Sequence, residues 1–168
     1  MEIISSSVRQ TQEIARRLAS SLKPGDVVAL AGNLGCGKTV FVQGLARGVG
    51  AKEKEVLSPT FVLLRQYQGK LALNHFDLYR LKDIRQLERI GYEEYFYGGG
   101  ITAIEWADRI KQALPEEHLR IEFKVLSEKR RLIKIMAKGK HYADYLRDLQ
   151  GKKIKVSQRY TANPKQDP

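Results

Sequence analysis

The chain has a single cysteine, Cys36, among its 168 residues. No internal disulfide can form, so a small fold stapled by cross-links is excluded, and a thiol-reducing compartment is the simplest setting. Long apolar runs are also missing. None approaches the roughly 20 residues that a helix needs to span a bilayer, so no membrane segment is expected. Residues Met1–Ser7 lack a basic stretch followed by an apolar one, so no secretory leader is expected and the cytoplasm is the expected location. No internal repeat is visible. Acidic residues are in deficit, with 19 Asp and Glu against 30 Lys and Arg, a formal net charge of +11. That balance suits an acidic partner, either nucleic acid or an acidic protein face, and it equally suits a plain solvated surface.

What remains is the composition of a globular protein able to bury a core, 42% hydrophobic and 29% charged. The length suggests one domain, placed at residues 1–150. Beyond it the segment 151–168 is basic and polar. It holds Lys152, Lys153, Lys155, Arg159 and Lys165 against Asp167 alone, without apolar periodicity, and it is expected to be a disordered tail.

Periodicity predicts the elements in order. Glu2 to Ser5 reads as a short strand, after which Ser6 or Ser7 can cap a helix whose face carries Thr11, Ile14, Ala15, Leu18, Ala19 and Leu22. The turn Lys23-Pro24-Gly25-Asp26 leads into Val27 to Ala31, an unbroken apolar run as expected of a strand buried on both faces. A glycine-rich segment follows, then an amphipathic helix with Phe41, Val42, Leu45 and Ala46. Val62 to Gln68 and Leu71 to Leu78 read as a hairpin, Ile84 to Ile90 and Tyr92 to Tyr97 as short helical pieces, and Ile101 to Glu105 as a second buried strand. Leu119 to Leu126 and Arg131 to Ala137 form another hairpin, and His141 to Gln150 a closing helix. Strands alternate with helices first and cluster later. The expected fold is therefore α/β in three layers, α/β/α, around a mixed, partly parallel sheet.

The chemistry sits in residues 32–39, Gly-Asn-Leu-Gly-Cys-Gly-Lys-Thr, which match the P-loop pattern of Gly, four residues, then Gly-Lys-Ser/Thr. The glycines let the backbone curl so that successive N–H groups face phosphate oxygens, and the following helix adds its N-terminal partial charge. Lys38 reaches the β- and γ-phosphates, and the Thr39 hydroxyl serves Mg²⁺. The expected nucleotide-binding residues are Asn33, Leu34, Gly35, Cys36, Gly37, Lys38, Thr39 and Val40. Cys36 can contribute its backbone N–H whatever its side chain does, and nothing nearby suggests a catalytic thiol.

A P-loop also needs an acid at the end of a neighbouring strand, either to hold Mg²⁺ or to orient the attacking water. Glu105 ends the strand from Ile101 and Asp77 ends the stretch from Leu71, and each has the plainer alternative of capping the next helix. His75 shares a strand face with Asp77 and reads as a packing or hydrogen-bonding residue. Ser58-Pro59-Thr60 reads as a turn, although nucleotide switches place hydroxyls in such loops.

Four motifs in order, Gly32 to Thr39, Ser58-Pro-Thr-Phe61, His75-Phe-Asp-Leu-Tyr-Arg80 and Ile104-Glu-Trp106, resemble the TsaE (YjeE) family. This is the ATPase subunit of bacterial tRNA threonylcarbamoyladenosine synthesis. The resemblance spans roughly residues 5–140, and the second half of the motif set is its specific part. It implies the P-loop NTPase fold, ATP or ADP as ligand, weak ATP hydrolysis, and Mg²⁺ held by Thr39 and Glu105. It implies that Asp77 acts in hydrolysis beside Lys38, and that Trp106 lies next to the nucleotide. It also implies TsaD and TsaB as partners in modifying adenosine 37 of tRNAs that read codons starting with A, with tRNA reached through that complex. The family usually has a small residue where Cys36 stands.

The alternative is a P-loop kinase of a nucleoside or small molecule. Such kinases carry an arginine-bearing lid, and the nearest candidate is Lys129-Arg130-Arg131. A GTP switch is disfavoured, because its guanine-reading Asn-Lys-x-Asp motif is absent. For the adenine, Ser7, Thr11 and Arg130 are the candidate contacts.

Overall fold

A computed structural model of the chain describes residues 1–51, 56–59 and 62–151. The expected basic tail lies outside the described residues from 152 onward, Gly151 being the last residue of a helix, and Thr60 and Phe61 also lie outside them.

Among the described residues seven strands form one sheet: β1 (Glu2–Ser5), β2 (Val27–Ala31), β3 (Leu64–Tyr67), β4 (Leu73–Asp77), β5 (Ile101–Glu105), β6 (His118–Val125) and β7 (Arg131–Lys138). Their spatial order is β1-β7-β6-β2-β5-β4-β3. The central run β6-β2-β5-β4 is parallel. The margins, β1 on β7, β7 on β6 and β3 on β4, are antiparallel. The sheet is thus mixed, as alternation early and hairpins late in the sequence imply. Every residue of β2, β4 and β5 is buried, because parallel strands carry helices over both faces.

The helices are α1 (Val8–Ala19), α2 (Lys38–Gly48), α3 (Arg85–Glu88), α4 (Tyr92–Phe96) and α5 (Lys140–Gly151), with a short 3₁₀ helix at Ala107–Ile110. Ser7 caps α1, its hydroxyl accepting from Gln10 N–H at 3.1 Å. The apolar stripe of α1 packs with Phe41, Val42 and Leu45 of α2, with Val28 and Leu30 of β2, and with Tyr142, Tyr145 and Leu146 of α5. The opposite layer gathers Val27 and Ala29 of β2 with Phe76, Leu87, Phe96, Ile104 and Ile110. Alternation along β2 therefore divides the core into two layers of packing. The stretch Ile84 to Ile90 supplies only the single turn of α3, and Gly91, at φ +63°, turns the chain before α4.

Two of the buried acids end parallel strands. Asp77 is the last residue of β4 and Glu105 the last of β5, and the register places them side by side. The P-loop leaves the carboxyl end of β2 between β5 and β6. In open α/β sheets, ligands bind at this end of the strands.

Candidate functional site

The loop from Gly32 to Gly37 depends on glycine at two positions in particular. Gly32 has φ +142°, and a Cβ there would lie 2.8 Å from Cys36 Sγ and 2.9 Å from the Phe123 carbonyl oxygen, so no side chain fits. Gly37, at φ +110°, sits at the N-cap of α2 in a conformation that costs other residues energy. Immediately after it Lys38 begins the helix. Its ammonium is buried, donating to Gly32 O at 2.8 Å and Asn33 O at 3.0 Å, with Cys36 Sγ at 3.7 Å. The Trp106 ring lies across it, 3.8 Å from nitrogen to centroid. Trp106 itself has φ +61°, a position that a bulky residue occupies at a cost of about 1–3 kcal/mol. Tyr79 tilts against its ring at 5.1 Å, and the Arg109 guanidinium lies 5.9 Å from both rings.

The Thr39 hydroxyl donates to Glu105 Oε2 at 3.0 Å. The other oxygen, Oε1, is 2.9 Å from His75 Nε2. Glu105 is thereby held from both sides while buried, and His75 is wholly buried behind it. The second ring nitrogen, Nδ1, has no hydrogen-bond partner among the described residues, a condition that costs about 1–3 kcal/mol. Asp77 is held as firmly. The Ser58 hydroxyl donates to Oδ2 and Tyr79 N–H donates to Oδ1 at 3.0 Å. The Leu57–Ser58 segment is in turn fixed by the Tyr67 hydroxyl, which accepts from Leu57 N–H at 3.2 Å and donates to Leu57 O at 2.9 Å.

These groups surround a cavity of about 330 Å³ lined by Leu34, Gly35, Gly37, Lys38, Thr39, Val40, Ser58, Asp77, Tyr79, Glu105 and Trp106. Most of the residues expected from the motif therefore converge there. Asn33 and Cys36 do not line it. Asn33 contributes its carbonyl to Lys38, and the Cys36 side chain is buried in the core. Burial pushes the Cys36 thiol up from its ordinary range, and the neighbouring Lys38 only partly offsets this, so the side chain has the character of an inert structural thiol.

A second cavity of about 320 Å³ shares Gly35, Gly37 and Val40 with the first and is otherwise lined by Ser6, Ser7, Val8, Thr11, Glu128, Lys129 and Arg131. Two of the three candidate adenine contacts, Ser7 and Thr11, border it. Arg131 and Lys129 border it where Arg130 was expected.

Ser58, in the turn where the sequence allows a nucleotide-switch hydroxyl, holds Asp77, whereas the roles of Tyr67 and Tyr79 and the His75–Glu105 contact have no local signal in the sequence. The parity of β4 places His75 and Asp77 on one face, but only the pairing of β4 with β5 brings that face level with Glu105.

The fold and the loop define a P-loop NTPase fold. The family model described as "Threonylcarbamoyl adenosine biosynthesis protein TsaE" matches residues 5–133. A TsaE protein of Bacillus subtilis is 42% identical over 134 residues, covering 79% of this chain and 83% of its own length. One from Treponema pallidum is 42% identical over 135 residues, covering 80% and 99%. The crystal structure of Bacillus subtilis YdiB superposes with a TM-score of 0.75 at 33% identity, covering 90% of this chain and 95% of that one. The chain belongs to the TsaE family. Among the described residues no helix is long and apolar enough to cross a membrane.

Proposed function

We propose that this protein is the ATP-binding, weakly ATP-hydrolysing subunit of the machinery that places threonylcarbamoyl on tRNA adenosine, working with TsaD and TsaB. Both TsaE relatives described above are named for tRNA threonylcarbamoyladenosine biosynthesis. The observation that carries the ATP reading is the 3.0 Å contact between Thr39 and Glu105 at the head of the P-loop helix.

The loop and Lys38 would hold the triphosphate. The ammonium, which donates to Gly32 O and Asn33 O, would turn to phosphate oxygens, a charge-assisted contact stronger than a neutral one. The paired oxygens of Thr39 and Glu105 are hard donors that suit Mg²⁺, which takes few protein ligands and completes its shell from phosphate and water. In keeping with that, no group of three or more His, Cys, Asp or Glu forms a metal cage among the described residues. When bound, Mg²⁺ neutralises charge that develops on the phosphates. Asp77, fixed by Ser58 and Tyr79 N–H, orients and polarises the attacking water. Ser7, Thr11 and the turn carrying Lys129 and Arg131, which border the second cavity, would hold the adenine. Trp106 lies across Lys38 at the rim and senses the change when the ammonium turns to phosphate.

Reconstitution with TsaD, TsaB and tRNA tests this reading. Modification over many turnovers is expected to require this chain with ATP. Phosphate release stimulated by a nucleoside or small-molecule acceptor, with no effect on tRNA modification, would point to a kinase instead.

A further inference from the structure

His75 stands in the middle of β4 and does not line the cavity. It is wholly buried, yet Nδ1 has no partner, the one such side-chain atom among the described buried groups. A leucine or phenylalanine would fill the space without that loss. Packing therefore does not account for an imidazole here, and its return must lie at Nε2, 2.9 Å from Glu105 Oε1. A carboxylate oxygen accepts, so Nε2 carries a proton and donates it to Glu105.

We propose that His75 is a positioning residue for the cation site, donating Nε2–H to Glu105 Oε1. A carboxylate pinned through one oxygen has its plane fixed. Its other oxygen, Oε2, then faces Thr39 Oγ1 across 3.0 Å, and the two form a ready pair for a divalent cation. Partners that orient a metal's ligands act in this way, and their loss commonly weakens metal affinity. The ring of Tyr67 backs the imidazole at 6.3 Å, tilted by 35°. The same tyrosine's hydroxyl clamps Leu57, beside the Ser58 that holds Asp77. One buried pair of rings thus supports the settings of both carboxylates. The proposal rests on the Mg²⁺ reading above.

The test uses the full chain as wild type, Glu105→Ala, His75→Leu and His75→Gln. ATP affinity is read from Trp106 fluorescence across a Mg²⁺ series and in EDTA. His75→Leu should raise the half-effective Mg²⁺ concentration about 10- to 100-fold while leaving affinity in EDTA unchanged. His75→Gln keeps an N–H donor and should recover most of the loss. A wild-type Mg²⁺ midpoint in His75→Leu, or equal losses in the two variants, would overturn the proposal. If Glu105→Ala keeps the full Mg²⁺ dependence, the cation reading fails and this inference falls with it. If Glu105→Ala loses that dependence and His75→Leu does not, only the role of His75 is wrong. Nitrogen-15 spectra of the unaltered chain, which has 3 histidines, decide the matter if His75→Leu does not fold. A proton on Nε2 is expected, and a bare Nε2 would overturn the assignment.

Discussion

The two ends of the central strands bury polar groups for opposite purposes. At the amino end, α5 closes the sheet with side chains that complete the backbone's own hydrogen bonding. The Tyr142 hydroxyl accepts from Val27 N–H at 2.8 Å, Tyr145 donates its hydroxyl to Leu18 O, and Asp26 accepts from Lys23 N–H and meets His141. Tyr142 and Asp26 in this way answer backbone N–H groups of the turn and strand start, and Tyr145 adds a second donor to a Leu18 carbonyl that already accepts from Ser21 N–H. At the carboxyl end, Lys38, Asp77 and Glu105 are also buried and bonded, but two acids lie side by side in register and His75 keeps an unpaired nitrogen. Stability alone does not favour that arrangement. The difference separates polar groups that hold the fold from polar groups that the fold holds in readiness.

Substitutions at the two ends should therefore break different properties. The largest effect is expected from Lys38→Ala. Removing one partner of a desolvated charge pair costs roughly 2–5 kcal/mol, so ATP affinity should fall about a hundredfold or more while thermal stability changes little. Calorimetry checks this, and unchanged affinity would remove Lys38 from the phosphate site. Asp77→Asn should slow hydrolysis about a hundredfold, in the range of lost acid–base assistance, with ATP affinity kept within about threefold, because a water-orienting group acts mainly in the transition state. Single-turnover phosphate release separates the two quantities. A fall in affinity without a fall in rate per bound nucleotide would make Asp77 a metal ligand.

At the other end, Tyr142→Phe leaves the buried Val27 N–H unpaired and should lower unfolding free energy by about 1–3 kcal/mol, with ATP affinity unchanged. Denaturant melts and calorimetry together test this contrast, and a variant that lost affinity instead would erase it. The smallest effect concerns alkaline pH. Burial pushes the Tyr142 and Tyr145 hydroxyls above the ordinary tyrosine range. Their folded values lie above the unfolded value of about 10, so their contribution is complete below that pH and is lost as pH rises beyond it. Stability should be level in this respect up to about pH 10 and fall above it. Tyr142→Phe should flatten the fall.

Much of this was legible in the residues. The P-loop needed no structure, because glycine, lysine and threonine at fixed spacing serve one geometry. One buried strand showed as the unbroken apolar run Val27–Ala31 and another as the stretch Ile101–Glu105 ending in an acid, and the closing helix showed as a periodic stretch, although it lies beyond the matched span of 5–133. What the residues did not reveal depended on pairing between distant strands. Nothing local says that β4 lies parallel to β5, and without that neighbour His75 reads as an ordinary core histidine. Tyr67 was hidden in the same way. It lies on the strand paired with β4, and its hydroxyl meets Leu57 beside the Ser58 that holds Asp77.

The central claim is that Thr39 and Glu105 serve one cation at the carboxyl end. It is tested most directly by a double-mutant cycle of Thr39→Ala and Glu105→Ala, reading Mg²⁺-dependent ATP affinity from Trp106, the chain's single tryptophan. If both oxygens hold the same ion, either substitution removes most of the Mg²⁺ effect, and the double variant loses clearly less than the sum of the two. Fully additive losses, or Mg²⁺ dependence that survives both substitutions, would contradict it.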